Sequence, residues 1–178
     1  MKTSHHVSIL LLAVFGTACD SVVAPDAGQT EALSLAVSNA AQHVAAAGTF
    51  MQTAITSIEV SQAGPNTIIE QTSVGTISGT LSGSYTDDLR VVIHPNGNFN
   101  AHFTIRCECT MAGEQGILEL VASDNGQLVS PTLASFAGRA VITGGTAGLS
   151  DLRGVLQIEG SVDVVSGLST YAYSGRIH

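Results

Sequence analysis

Apolar and polar side chains alternate one by one along residues 98–111 of this chain. One set of alternate positions carries Phe99, Ala101, Phe103, Ile105, Cys107, Cys109 and Met111, and the other carries Asn98, Asn100, His102, Thr104, Arg106, Glu108 and Thr110. Successive side chains of a β-strand point to opposite faces of its sheet. The pattern therefore predicts a strand that buries its first set and exposes its second set to water.

The same two-residue period recurs along the chain after residue 50. Residues 75–85 place Gly, Ile, Leu and Tyr on one side and only Ser and Thr on the other, and residues 155–165 also alternate. Shorter apolar or alternating runs occupy residues 52–61, 66–74, 88–94, 116–123, 133–143 and 169–177. Clusters of Gly, Pro, Asn and Asp predict turns at residues 64–66, 95–97, 124–126 and 144–145.

These strands follow one another without an amphipathic helix between them, which excludes βαβ units and a parallel sheet. Roughly eight antiparallel strands in one domain predict an all-β barrel or sandwich. In residues 75–85, Gly alternates with Ile and Leu on the face that we expect to be buried. Alternating side-chain sizes of this kind fit the tapered interior of a small barrel.

The first residues have the features of a targeting segment. Within residues 1–18, Lys2 precedes a short apolar run, and small residues end the segment directly before Cys19. The run is too short for a membrane-spanning helix, which needs about 20 residues, and it is typical of a secretory signal peptide. The junction at Cys19 resembles a bacterial lipobox. That resemblance implies lipidation of Cys19 and an anchor on the extracytoplasmic side of a bacterial cell-envelope membrane; an ordinary signal peptide is the alternative.

Residues 19–50 are rich in Ala, Ser, Gln and Val and predict a tether between this anchor and the barrel. Leu33, Val37, Ala41 and Val44 recur at helical spacing. A short helix within the tether and a disordered tether are both consistent with so thin an apolar stripe. We therefore expect three parts: a lipoprotein signal peptide at 1–18, a tether at 19–50 and the barrel domain at 51–178.

Charge excludes several classes of function. The chain has 14 acidic and 6 basic side chains, a formal net charge of −8, so that a nucleic-acid partner is not expected. Lys2 is the only lysine, and it lies in the predicted signal peptide. Lysine-based chemistry, either a Schiff base or a phosphate-binding loop, is thereby excluded from the mature chain.

Residues 140–154 resemble the hairpin of allene oxide cyclase and dirigent-type barrels. In those proteins an apolar strand ends in Gly-Gly-Ser/Thr-Gly, and a further Gly opens the next strand. The matching residues are Ile142, Thr143, Gly144, Gly145, Thr146 and Gly154. Ala147 stands where Gly is usual, which matters if that position needs a positive φ angle. The resemblance implies an antiparallel, eight-stranded, up-and-down, calycin-like barrel and transfers no particular chemistry.

Cys107 and Cys109 fall on the same predicted inner face. In an extended strand their Cα atoms would be about 6.6 Å apart, near the upper limit for a disulfide. Two buried small apolar side chains, a disulfide, and a soft-metal site with further ligands therefore remain open. The histidines show no metal-binding spacing, and we expect neither a metal nor a cofactor.

Among the carboxylates, Glu59 is the candidate for a catalytic acid. It lies in the first predicted strand, where the alternation is imperfect, so its side chain is either solvated or directed into the barrel. An inward carboxyl group in an apolar interior has a raised pKa and can act in acid–base chemistry. Asp87 and Asp88 are expected at the start of a strand. Arg153 either pairs with a carboxylate such as Asp151 or guards the barrel mouth and orients an anionic ligand.

Two functional hypotheses follow. The first is a membrane-tethered barrel that binds a small apolar ligand or serves as a structural module. The second is a cyclase or isomerase that holds a hydrophobic substrate, as the resemblance to allene oxide cyclase implies. Residues predicted to line a ligand cavity are Tyr85, Phe99, Phe103, Cys107, Cys109, Leu156 and Ile158. A cavity of about 300 Å³ or more with an inward Glu would favour catalysis.

Overall fold

A computed structural model describes residues 43–178 of the chain. Its strands are β1 (Val44–Ala63), β2 (Asn66–Gly79), β3 (Ser82–Ile93), β4 (Asn98–Met111), β5 (Glu114–Ser130), β6 (Leu133–Gly145), β7 (Gly154–Asp163) and β8 (Ser169–Ile177). Each strand pairs antiparallel with the next, and β1 also pairs with β8. The predicted all-β, antiparallel, eight-stranded, up-and-down barrel is therefore confirmed.

Helical structure within residues 43–178 is limited to one short 3₁₀ turn, Ala147–Leu149. In this part of the chain no helix has the length and apolar character needed to cross a membrane. The predicted signal peptide, Cys19 and most of the predicted tether lie outside the described residues. β1 begins at Val44, so the expected boundary at residue 51 falls inside the first strand of the barrel.

Strand β4 has the bounds that the alternation predicts, and its predicted inner face is buried from Phe99 to Cys109. Residues 75–85, by contrast, are not one strand, because β2 ends at Gly79 and β3 begins at Ser82. Gly79 takes a positive φ of 111° at this turn. The loop does not shift the two-residue period, so the same alternate positions face inwards before and after it. Ile77, Leu81 and Tyr85 are all buried as expected.

The predicted turns at residues 64–66 and 95–97 are found between strands, but the one at residues 124–126 is wrong. β5 continues through this segment, where Asn125 pairs with Asn100 of β4 and with Ala137 of β6. Hydrogen bonding to strands on both sides outweighs the local turn preference of Asp-Asn-Gly. As a result, Asp124 points into the barrel and is buried.

The two ends of the barrel differ in packing. One end carries the β2–β3, β4–β5 and β6–β7 connections, and we call it the sealed end. It is filled by buried apolar side chains, among them Leu81, Leu118, Ile142, Leu156 and Ile177. The other end, which we call the open end, carries the β1–β2, β3–β4, β5–β6 and β7–β8 connections.

An aromatic cluster of Phe50, Tyr85, Tyr171 and Tyr173 lies between the two ends. The Phe50 ring stacks on Tyr171 with a centroid separation of 4.8 Å, and its centroid lies 5.3 Å from Tyr85 and 5.4 Å from Tyr173 in edge-to-face contacts. The backbone N–H of Leu81 donates to the Tyr173 hydroxyl at 2.9 Å. The cluster therefore ties β1, β3 and β8 together across the interior.

The β6–β7 connection differs from the expected tight turn at residues 144–145. Gly144 and Gly145 form the end of β6, and the chain turns afterwards through the 3₁₀ segment. Ala147 there has a φ of 52°, so this position does need a positive φ, which Gly adopts more readily than Ala. Thr146 stabilises the connection, because its hydroxyl accepts the Ile117 N–H at 3.0 Å.

The adjacent glycines Gly144 and Gly145 offer a matched test of this connection. A Cβ at Gly145 would collide with the Leu149 carbonyl oxygen, whereas a Cβ at Gly144 would meet only Glu119 Oε2 at 3.6 Å. We expect Gly145→Ala to lower the free energy of unfolding by about 1–3 kcal/mol through overpacking. Gly144→Ala should change it by about 0.5 kcal/mol or less. Urea denaturation measures both, and equal effects would contradict the described path of residues 144–149.

Candidate ligand-binding site

A cavity of about 300 Å³ opens at the open end of the barrel. Apolar side chains form most of its wall, including Leu89, Val91, Phe99, Phe103 and Phe136. This volume is at the lower end of the range, about 300–1,000 Å³, that is typical of small-molecule sites. The cavity therefore has room for a small ligand, whereas the sealed end of the same barrel is filled by its own side chains.

The rim of this cavity is also apolar. Three of the four connections at the open end carry exposed large apolar side chains. The exposed apolar side chains that line the cavity there are Ile58 of β1, Leu128 of β5, and Val164 and Val165 between β7 and β8. Val165 is the most exposed of them, at 80%. An apolar molecule thus meets apolar surface from the rim inwards.

The inner end of the cavity is polar. Gln52, Gln71, Asp87, Asp124 and Tyr171 all line it, and all five are buried. Tyr171 belongs to the aromatic cluster, which separates the cavity from the sealed end. We call these five residues the polar floor, since a ligand that enters from the rim meets them last.

Asp87 is held by two donors. The Ser73 hydroxyl donates to its Oδ1, and Gln52 Nε2 donates to its Oδ2 at 3.0 Å. Gln52 is itself fixed, because its Oε1 accepts the Ser169 backbone N–H at 2.9 Å. Burial raises the pKa of Asp87, and the hydrogen bonds from Ser73 and Gln52 act in the opposite direction.

Asp124 has no such support. It is only 6% exposed, and its Oδ1 has no hydrogen-bond partner among the described residues. Burial raises the pKa of its carboxyl group to about 7. The Gln71 Nε2 atom also lacks a partner among residues 43–178. Buried polar atoms without partners are rare in folded proteins, and here they face a cavity in which a ligand or water could satisfy them.

The sequence predicts the residues that line the cavity only in part. Of the predicted lining residues, Phe99 and Phe103 line it. The other five, Tyr85, Cys107, Cys109, Leu156 and Ile158, are buried in the barrel without lining it. Cys107 and Cys109 form a disulfide, one of the three alternatives that the sequence left open, with their Cα atoms 5.3 Å apart. Glu59 is exposed on β1 and does not line the cavity.

Both carboxylates of the polar floor were missed from the sequence. Asp87 lies within β3, whereas the sequence predicts it at the start of a strand. Asp124 lies within β5, where the sequence predicts a turn. The alternation itself could have found them, because Asp87 is two residues after the inward Tyr85, and Asp124 is two residues after the inward Ala122.

Arg153 does not guard the cavity. It lies at the sealed end, where its guanidinium donates to the carbonyl oxygens of Ser150 at 3.1 Å and Leu152 at 2.7 Å. It forms no ion pair with Asp151 in the described structure; the ion pair found among the described residues is Arg90–Glu70, at 3.5 Å. Both expectations for Arg153 are therefore wrong.

No group of three or more His, Cys, Asp or Glu side chains within residues 43–178 is arranged to hold a metal ion. What the described residues define is a closed antiparallel barrel with an apolar cavity open at one end and a polar floor. Hydrogen bonding and, where a carboxyl group is protonated, proton donation are the interactions that this floor can offer to a ligand.

Comparison with known proteins gives distant likenesses in fold. No family model matches the chain, and no curated protein matches it. Among solved structures, the pterocarpan synthase dirigent protein GePTS1 is similar, with 13% identity and a TM-score of 0.43 over 76% of this chain and 87% of that chain. The pterocarpan synthase dirigent protein PsPTS1 gives 14% identity and a TM-score of 0.44 over 77% and 95%.

The raised pKa of Asp124 predicts a pH-dependent stability difference. An unfolded Asp has a pKa of about 3.9, so the folded chain retains this proton over a range in which the unfolded chain has lost it. The resulting stability is present below about pH 4 and is lost as the pH rises through 7. Asp124→Asn, which stays neutral, should therefore gain stability relative to the wild type from about pH 4 to 7 and then level off.

Thermal melts of the two proteins across this pH range measure the difference, in which contributions from the other carboxylates cancel. Asp151→Asn, at an exposed position, is the control for the removal of one negative charge. A constant offset of Asp124→Asn from the wild type would show that this carboxyl group is not desolvated in the folded protein.

Proposed function

We propose that this barrel binds a small, mostly apolar molecule in its cavity, with the polar group of that molecule at the polar floor. The observation that carries the proposal is the pairing of an apolar wall with buried, unpartnered polar atoms at one inner end. Ligand sites combine a largely apolar lining with a few polar groups that fix orientation. The apolar part supplies affinity, and the floor selects the orientation.

Affinity should then grow with chain length until the cavity is full. Burial of one methylene group contributes about 0.8 kcal/mol, which corresponds to about a fourfold tighter dissociation constant per carbon. The cavity volume of about 300 Å³ sets the length at which this gain stops.

We also propose that the barrel works on the extracytoplasmic side of a bacterial membrane, tethered through a lipidated Cys19. The support is the order of features in residues 1–19: a basic residue, a short apolar run, small residues and then Cys19. A tether that ends at Val44 would join the barrel at its sealed end, where β1 begins.

A cyclase or isomerase is the second candidate, and the two buried carboxylates favour it. A carboxyl group that keeps its proton near neutral pH in an apolar cavity can donate that proton to a bound substrate. Asp124 has this property, with its pKa near 7, and Tyr171 lies beside it in the floor. Because an isomerase's substrate and product have the same mass, NMR spectra of the molecule released on denaturation separate the two functions: a binding protein releases the same molecule from wild type and Asp124→Asn, whereas an enzyme releases product from the first and substrate from the second.

A plugged cavity tests the binding function. Ala101 lines the cavity and is buried, so Ala101→Phe should fill the space and abolish binding of 1-octanol. Val121→Phe adds a ring at a position that is 49% exposed and should bind as the wild type does. Calorimetric titration measures both variants, with melting temperatures as the check on folding. Equal binding of 1-octanol by Ala101→Phe and the wild type would refute the proposal.

The tether has its own test. Cys19→Ser removes the thiol that lipidation requires, so we expect the variant to appear in the soluble fraction of the cell envelope while the wild type sediments with membranes at high salt. Continued sedimentation of Cys19→Ser would show that lipidation at this residue is not what holds the protein.

A further inference from the structure

The charges that face the cavity are of one sign. Its lining carries two carboxylates, Asp87 and Asp124, and none of its lining residues is basic. All five arginines of the chain, Arg90, Arg106, Arg139, Arg153 and Arg176, are exposed. His94, near the open end, is engaged by Asn66 at 3.2 Å and Asn100 at 2.9 Å. A ligand therefore finds acidic groups at the floor and no cation beside them.

The two carboxylates are not equivalent. Both oxygens of Asp87 already accept hydrogen bonds, from Ser73 and Gln52. Asp124 has an unpartnered Oδ1 and lies on β5 among apolar neighbours of the cavity wall. Asp124 is thus the carboxylate with a vacant position for a donor.

We propose that the ligand is a small apolar amine, whose protonated nitrogen donates to Asp124 at the polar floor. This inference rests on the proposed binding function and specifies the polar group of the ligand. An ammonium group supplies the donor that Asp124 Oδ1 lacks and neutralises its charge in a site of low dielectric. A carboxylate ligand, such as a fatty acid, would place a third negative group beside Asp87 and Asp124 and is disfavoured.

An alcohol can also donate to Asp124, but it leaves the charge of the carboxylate uncompensated. An alcohol and an ammonium group both make a hydrogen bond to the charged carboxylate, and the ammonium group adds the attraction between opposite charges. The amine should therefore bind more tightly than an alcohol of the same length. The difference between the two binding free energies measures the contribution of the ion pair.

Pairing with an amine also links binding to pH. Burial places the pKa of Asp124 at about 7. The Tyr171 side chain interacts electrostatically with Asp124 and also with Asp87 and Tyr85. An alkylamine, like Lys, is protonated up to about pH 10. As the pH falls below 7, Asp124 takes up a proton and loses the charge that attracts the amine, so amine affinity should fall while alcohol affinity stays level.

The experiment compares three probes that share an eight-carbon chain: n-octylamine, 1-octanol and octanoate. Calorimetric titrations at pH 8 use the full-length wild type, Asp124→Asn and the exposed control Asp151→Asn. We expect the wild type and the control to bind octylamine about tenfold or more tightly than octanol, and octanoate least tightly. Asp124→Asn should lose this preference and bind octylamine no more tightly than octanol.

The outcomes separate this inference from the proposed function. If none of the three probes binds, the binding function fails and the inference fails with it. If octanol or octanoate binds as tightly as octylamine to the wild type, the inference is overturned and the binding function stands. Should Asp124→Asn fail to fold, the octylamine affinity of the wild type is compared at pH 8 and pH 5. Weaker binding at pH 5 supports the inference, and unchanged binding overturns it.

Discussion

Closure of the barrel through the pairing of β1 with β8 is the constraint on which the rest of the structure depends. Once the sheet closes, every inward side chain of eight strands shares one interior, and every strand has a neighbour on both sides. The alternation of each strand then decides what that interior contains. This is how an acidic side chain such as Asp124, on a strand of mostly apolar inward residues, comes to be desolvated.

The aromatic cluster turns this shared interior into two regions. On one side, apolar side chains fill the space between the β2–β3 and β6–β7 connections. On the other side, the wall side chains leave about 300 Å³ open. The polar floor lies where the two regions meet, so its carboxylates are far from bulk water yet accessible from the rim. That position explains both the raised pKa of Asp124 and its availability to a ligand.

The sequence predicts the fold well because barrel strands have a period that can be counted. The bounds and the buried face of β4 follow from alternation alone. Errors arose where local preference competes with pairing to distant strands. Asp-Asn-Gly at residues 124–126 favours a turn in isolation, yet β4 and β6 hold it in a ladder. The cavity could not be predicted in this way, because its volume depends on how side chains from all eight strands fill one space.

The aromatic cluster also makes the barrel blind-ended. A molecule that reaches the polar floor cannot leave through the sealed end, where the side chains are closely packed, and must return past the same rim. Arrival and departure are therefore sequential events along one path, and two molecules cannot exchange by passing each other inside the barrel. For the ligand proposed above, the residence time would be set by the release of its polar group from the floor, followed by its passage along the apolar wall.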